Sequence, residues 1–266
     1  MLGFERREGS TVLVERRYAL PLQALELMEL EAGGAALMLL NPTGGVVGGD
    51  RLETRVRLGA DARVCLTTPS ATRVYRSAGE PAVQRFAAAV GPGGCLEYVP
   101  DHLIPSPGAR LRQTTEIALA AGASAIVWDS WSAGRPARDE AWAFAELDLQ
   151  LSIRDGRGPV FHERARLEGD VFWSRLGGAE GMGYAGVFLA VAEGRADWEA
   201  VARGLQADIG TGPPGARVGV TALARGGVLA RVLASSAPAL IGAGDALWAA
   251  SRRRLFGLPP LGLRKL

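Results

Sequence analysis

Three stretches of this chain alternate residue by residue between apolar and polar side chains, and that period of two constrains the fold more than any other feature. In residues 50–58, Leu52, Thr54, Val56 and Leu58 share one face while Arg51, Glu53, Arg55 and Arg57 share the other. Residues 110–119 set Leu111, Gln113, Thr115, Ile117 and Leu119 against Arg110, Arg112, Thr114 and Glu116. Residues 146–153 set Leu147, Leu149, Leu151 and Ile153 against Glu146, Asp148, Gln150 and Ser152. Successive Cβ atoms of a strand point to opposite faces, so each segment reads as a long strand with one packed and one wet face. Gly59-Ala-Asp61, Gly91-Pro-Gly-Gly94, Ala121-Gly122 and Asp155-Gly156 punctuate them at the spacing of a meandering sheet system, and Asp155-Gly156 is hairpin chemistry.

Helical periodicity appears only near the end. Residues 196–209 place Trp198, Val201, Ala202 and Leu205 on one stripe, and residues 238–256 end in Arg252-Arg-Arg254, whose charge complements a helix C-terminus. A strand pair joined at Arg225-Gly-Gly227 is expected between them. A parallel α/β fold needs a helix between successive strands, and the first 180 residues supply none. With no linker, repeat or low-complexity tract, residues 1–266 read as one domain.

Hydrophobic residues at 48% and charged residues at 22% are ordinary globular values. A net charge of +2 with mostly dispersed arginines leaves no electrostatic footprint for nucleic acid. The mixed-charge N-terminus leads into no apolar run, and the uncharged stretch 32–49 is broken by Pro42 and several glycines. Neither a secretory signal nor a membrane span is expected, and the reading is cytoplasmic. Cys65 and Cys95 are too few for a disulfide framework and read as reduced core thiols.

Several dense segments carry possible chemistry. Asn41-Pro-Thr-Gly-Gly-Val-Val-Gly-Gly-Asp50 has the glycines of a phosphate loop, but a strand follows where a phosphate cradle needs a helix, and no Gly-Lys-Ser/Thr is present. It reads as a turn presenting Asp50 from a fixed backbone. Thr67-Thr-Pro-Ser-Ala-Thr-Arg-Val-Tyr-Arg-Ser77 is rich in hydroxyls. With only His102 and His162 in the chain and no Gly-x-Ser-x-Gly elbow, it suits a loop lining a cleft or an interface rather than a serine hydrolase.

Two cysteines and two histidines, with no CxxC or HxxxH spacing, leave no permanent metal site. Asp50, Glu97, Asp101, Asp129, Glu140, Glu163 and Asp170 lie near strand ends or turns. Such hard oxygen ligands hold a borderline divalent ion weakly and release it fast; a solvated charge or a salt bridge is the alternative for each. Asp101-His102 is an acid/base pair or an ordinary polar loop. Gly134-Arg-Pro-Ala-Arg-Asp-Glu140, beside Trp128, Trp131 and Trp142, reads equally as an interface hot spot or as core tryptophans capped by local ion pairs.

Five segments in order resemble the urease accessory protein family UreD, also called UreH. They are Asn41-Pro-Thr-Gly-Gly-Val-Val-Gly-Gly-Asp-Arg-Leu52, Leu66-Thr-Thr-Pro-Ser-Ala-Thr-Arg-Val-Tyr-Arg76, Leu96-Glu-Tyr-Val-Pro100 with Ile104-Pro105, Gly134-Arg-Pro-Ala-Arg-Asp-Glu140, and the tail Leu258-Pro-Pro-Leu-Gly-Leu-Arg-Lys265. The resemblance implies an assembly factor rather than an enzyme, one that binds UreF, recruits the nickel-carrying GTPase UreG through UreF, and docks the urease apoprotein. It also implies a water-filled nickel passage, which strands with one wet face would suit.

The expected polar channel residues are Asp50, Thr67, Thr68 and Glu140, with Glu163 added. Ni2+ would be held only in transit, at Asp50 and Glu140, with no tightly bound cofactor. Tyr75, Arg76, Arg135, Arg138 and Trp142 are the expected interface residues. The alternative is a purely structural adaptor without a nickel path of its own. The sequence departs from the family pattern at Asn41, Thr43, Arg73 and Asp139, where histidine, a second proline, lysine and glycine respectively are common. The expected architecture is mainly β, with extended, stacked or helical-type sheets and two or three helices in the C-terminal third, forming one UreD-like domain.

Overall fold

A computed structural model of the chain describes residues 1–169 and 178–263; Asp170 and the end of the tail motif, including Lys265, lie outside the described residues. The chain enters through an antiparallel pair, β1 (Leu2–Arg7) and β2 (Ser10–Arg16), and two short strands, β3 (Gln23–Ala24) and β4 (Met28–Glu29). It then winds through a repeated circuit. The first coil is β5 (Ala35–Leu40), β6 (Gly45–Val46) and β7 (Arg51–Leu58), and the second is β8 (Arg63–Thr67), β9 (Thr72–Val74) and β10 (Ala82–Val90). The third is β11 (Cys95–Tyr98), β12 (Leu103–Pro105) and β13 (Arg110–Leu119), and the last is β14 (Ser124–Ser132) and β15 (Glu146–Asp155).

Each coil lies directly on the one before. One sheet joins β7, β10, β13 and β15, a second joins β5, β8, β11 and β14, and every one of these pairings is parallel. The turns at the glycine and proline punctuators therefore carry the chain from one sheet to the other, not between neighbours in a meander. Parallel strands need a long crossover, and here a strand of the facing sheet supplies it in place of a helix. The antiparallel strands come at the ends: β16 (Gly158–Glu168) pairs with β15 across the Asp155-Gly156 turn, and β17 (Tyr184–Ala192) pairs with β14.

In-register stacking places like beside like. Val56, Ala88, Ile117, Ile153 and Phe161 form one inward row, and Val64, Leu96, Ala125 and Val191 face them from the other sheet. All are buried in the first core, and each large side chain removed from water there contributes about 1.5–3 kcal/mol. The wet faces of the same strands point outward to solvent, where Glu53 pairs with Arg55, Glu116 with Arg85, and Asp148 with Arg112 and Arg164. They do not line an interior passage.

The C-terminal third covers the outer face of the second sheet. Helix α1 (Trp198–Ile209) buries Trp198, Val201, Ala202 and Leu205, the stripe its periodicity predicts. The hairpin of β18 (Ala216–Ala222) and β19 (Val228–Ala234) extends the sheet, and α2 (Ala237–Ser251) begins at Ser236, whose Oγ accepts the Ala239 N–H at 3.3 Å. Trp128 fits between α2 and β17 because two glycines leave it room: a Cβ on Gly186 would lie 2.2 Å from its ring.

Arg253 and Arg254 lie in the last helical turn as expected, but Arg252 does not serve the helix end. Arg252 opens a short π-helical turn and points inward, 1% exposed, donating to Glu97 Oε1 at 2.5 Å, to Glu31, and to the Pro259 carbonyl at 2.9 Å. Trp248 Nε1 donates to the other Glu97 oxygen at 2.5 Å. Arg254 pairs with Asp208 on α1. Carboxylates opposite these positions, Glu97 among them buried, outcompete the weaker pull of a helix C-terminus.

Candidate functional site

The interior of the coil is not apolar throughout. A first core at the β1 end of the strands and a third core, containing Val46, Leu52, Val74, Leu103, Phe144 and Leu147, meet along a band where polar side chains alternate with apolar ones. On the first sheet the inward rows there read Leu52, Gln84, Gln113 and Leu149, and Thr54, Phe86, Thr115 and Leu151. Facing them are Thr68, Asp101 and Asp129, and a cavity of about 110 Å³ lies between. Tyr98 walls it by stacking on Phe86 with ring centroids 3.8 Å apart. The space is large enough for several water molecules and has polar groups to hold them.

Asp129 is the charged centre of this band. Along β14, Ala125 and Val127 point into the coil, so the period of two brings Asp129 in with them while Trp128 and Ser130 turn toward α2. Gln113 Nε2 donates to Asp129 Oδ1 at 3.1 Å. Burial pushes the Asp129 carboxyl up to about 6; the Gln113 hydrogen bond opposes this and the negative charge of Glu163 adds to it. Glu163 belongs to the row of Thr115 and Leu151, continued onto β16. It accepts from both terminal nitrogens of Arg231, whose strand position lies across Val187 from Asp129. The Glu163–Arg231 pair thus joins the two sheets close enough to Asp129 for its charge to be felt there.

The other expected channel residues are dispersed. Thr68 lines the cavity, where its Oγ1 accepts the Asp101 N–H at 2.9 Å and donates to the Ser70 carbonyl at 3.1 Å. Thr67 turns the opposite way, fully buried, and donates to the Val99 carbonyl at 2.7 Å. It borders a second cavity of about 450 Å³ under α2, and the two cavities share Pro100 and Asp101. Asp50 closes its own turn, its Oδ2 accepting the Val47 N–H at 2.9 Å, with Gly44 and Gly49 in the positive-φ conformation that side chains resist. Glu140 accepts from Arg135 Nε at 2.5 Å within the 134–140 loop. Neither Asp50 nor Glu140 lines the cavity.

Among the expected interface residues, Tyr75, Arg135 and Arg138 share one pocket and Arg76 is exposed beside it. Trp142 is half-buried, edge-on to Trp131 with centroids 6.0 Å apart, and packs against the third core. With the Arg135–Glu140 pair beside it, that is the geometry of core tryptophans capped by a local ion pair. Asp139 has φ 57°, in the left-handed region, which aspartate tolerates.

Gln113 and Arg231 were not among the expected residues, and Asp129 stood unranked among several carboxylates. The signal for Gln113 and Asp129 was polarity at an inward position: Gln113 on the apolar side of its alternation, and Asp129 within Ile126-Val-Trp-Asp-Ser-Trp131. Glu97 is taken up by Arg252 and Trp248. Among the described residues no three His, Cys, Asp or Glu side chains converge as a metal site. Burial and the neighbouring Glu97 push the Cys95 thiol up to about 12, so it offers no thiolate. The donors that face the cavity are oxygens. No described helix is long and apolar enough to cross a membrane.

The family model described as UreD urease accessory protein matches residues 1–265. A protein of Alkalilimnicola ehrlichii called urease accessory protein UreD is 32% identical over 97% of this chain and 87% of its own length. Proteins of the same name from Cupriavidus metallidurans and Deinococcus radiodurans are 33% and 34% identical, each over 99% of this chain and over 92% and 93% of their own lengths.

Proposed function

Because this chain belongs to the UreD family of urease accessory proteins, we propose that it is a metallochaperone scaffold of urease maturation and not an enzyme. It binds apo-urease and UreF in the cytoplasm, recruits UreG through UreF, and passes Ni2+ through its polar interior. The observation that supports this reading is the Asp129 carboxyl, held by Gln113 at the wall of a cavity whose donors are otherwise hydroxyls, amides and one further carboxylate. A cargo ion must be met by few ligands at a time. Hard oxygen donors satisfy that, whereas imidazole and thiolate would retain nickel.

A proton also takes part. A carboxyl that titrates near 6 is mostly ionised at neutral pH, and an arriving cation favours the charged form further, so entry of Ni2+ displaces the remaining proton. Thr68 stands on the same wall, and Glu163, held by Arg231, is the next carboxylate along. Asp50 and Glu140 enter the proposal as carboxylates with one oxygen engaged by their own loops and the second left for transient contact.

The test is urease activation in the reconstituted complex with Asp129→Ala, Asp50→Ala and Glu140→Ala. Normal assembly with activation lost in Asp129→Ala supports the passage. Normal activation by all three supports the alternative, a purely structural adaptor that holds urease while nickel arrives by another route.

A further inference from the structure

The short strands β6, β9 and β12 form a third, narrow face of the coil. In their parallel register Val46 and Val74 point into the third core and Pro105 is buried beside Val74, while Gly45, Arg73 and Ile104 make the outer row. Tyr75 lies over Gly45, so closely that a Cβ there would sit 2.8 Å from its ring. The turn Pro136–Arg138 rises beside this row and completes a pocket of about 350 Å³, lined by Arg73, Tyr75, Ile104, Ser106, Arg135 and Arg138.

The charge here is unbalanced. On the solvent face of the first sheet, Arg55, Arg85, Arg110, Arg112, Arg164 and Arg166 each have a carboxylate within 3.6 Å. Around the pocket only Arg135 has one, Glu140; the exposed Arg73, Arg76 and Arg138 form no ion pair among the described residues. We propose that this face docks an acidic segment of a partner polypeptide.

Three features favour carboxylates on a peptide over a phosphate backbone. Arg135, which lines the pocket, already engages a carboxylate, that of Glu140. Tyr75 and Ile104 form an apolar floor between the guanidinium groups, which suits apolar side chains interleaved with acidic ones. The basic area is one local pocket on a chain of net charge +2, with no stripe for a polyanion to follow. The proposal does not depend on the cargo path, so either can fail without the other.

The test uses the full chain and a short fluorescent peptide alternating glutamate and leucine, followed by anisotropy at low salt. The expected result is saturable binding, screened by salt and weakened about tenfold or more in Arg73→Gln/Arg138→Gln. Arg55→Gln on the solvent face of the first sheet should bind like the parent, and matching thermal melts will show that the exposed substitutions leave the fold intact. No saturable binding, unchanged affinity in the double variant, equal affinity for a glutamine-leucine peptide, or tighter binding of single-stranded DNA at the same arginines would each overturn it.

Discussion

Replacing Asp129 with asparagine should stabilise this protein at neutral pH, against the usual effect of removing a buried hydrogen-bonded charge. The rise of its carboxyl from 3.8 to about 6 means that the folded chain holds the proton more tightly than the unfolded chain. Stability is then lost as pH rises between about 4 and 6, and the full cost remains above that range. The rise corresponds to about 3 kcal/mol. Contact of the half-buried side chain with the cavity screens part of it, so an effect of about 1–2 kcal/mol is expected. The Asp129→Asn side chain would keep an oxygen for Gln113 and remove only the charge. Urea denaturation at neutral pH should show that gain, with melting raised by about 2–4 °C per kcal/mol, and the two proteins should converge near pH 4. No gain at neutral pH would refute the reasoning, and a gain that persists in acid would trace it to packing instead of charge.

Other consequences follow from the same geometry. Nickel-dependent activation by the parent complex should fall as pH drops through about 6, where Asp129 takes up its proton, measured with urease matured at each pH and assayed at one common pH. Glu97→Leu strips the buried Arg252 of its main partner and should destabilise the chain by about 3–5 kcal/mol in denaturant titration. Gly45→Ala places a methyl 2.3 Å from the Arg73 carbonyl oxygen and should cost about 1–3 kcal/mol by the same measurement.

Much of the fold was legible because period two and period 3.6 are properties of local sequence. The alternation around Leu52 and Leu111 gave the inward faces, and Trp198, Val201, Ala202 and Leu205 gave the buried stripe of α1. Pairing direction was not legible, since a turn that returns to a neighbouring strand and one that crosses to a facing sheet use the same glycines and prolines. The site was less legible still. Asp50 and Glu140 stand out in glycine-rich motifs, yet each carboxylate is engaged within its own loop. Asp129 joins Gln113 across 16 residues and Glu163 faces Arg231 across 68, and only the register of coils brings such residues together. Arg252 shows the same: its local sequence marks a helix end, while Glu97 and Glu31, far along the chain, decide where it points.

The central claim is that nickel passes through the interior cavity, and blocking that space without touching its charges tests it most directly. Thr115 is buried on the cavity wall, and about 110 Å³ lies before it, enough to admit the ring of Thr115→Phe. The measurement is nickel per urease active site after maturation by complexes whose assembly has been verified. The account predicts an intact complex that leaves urease poor in nickel. Nickel content equal to that delivered by the parent would contradict it.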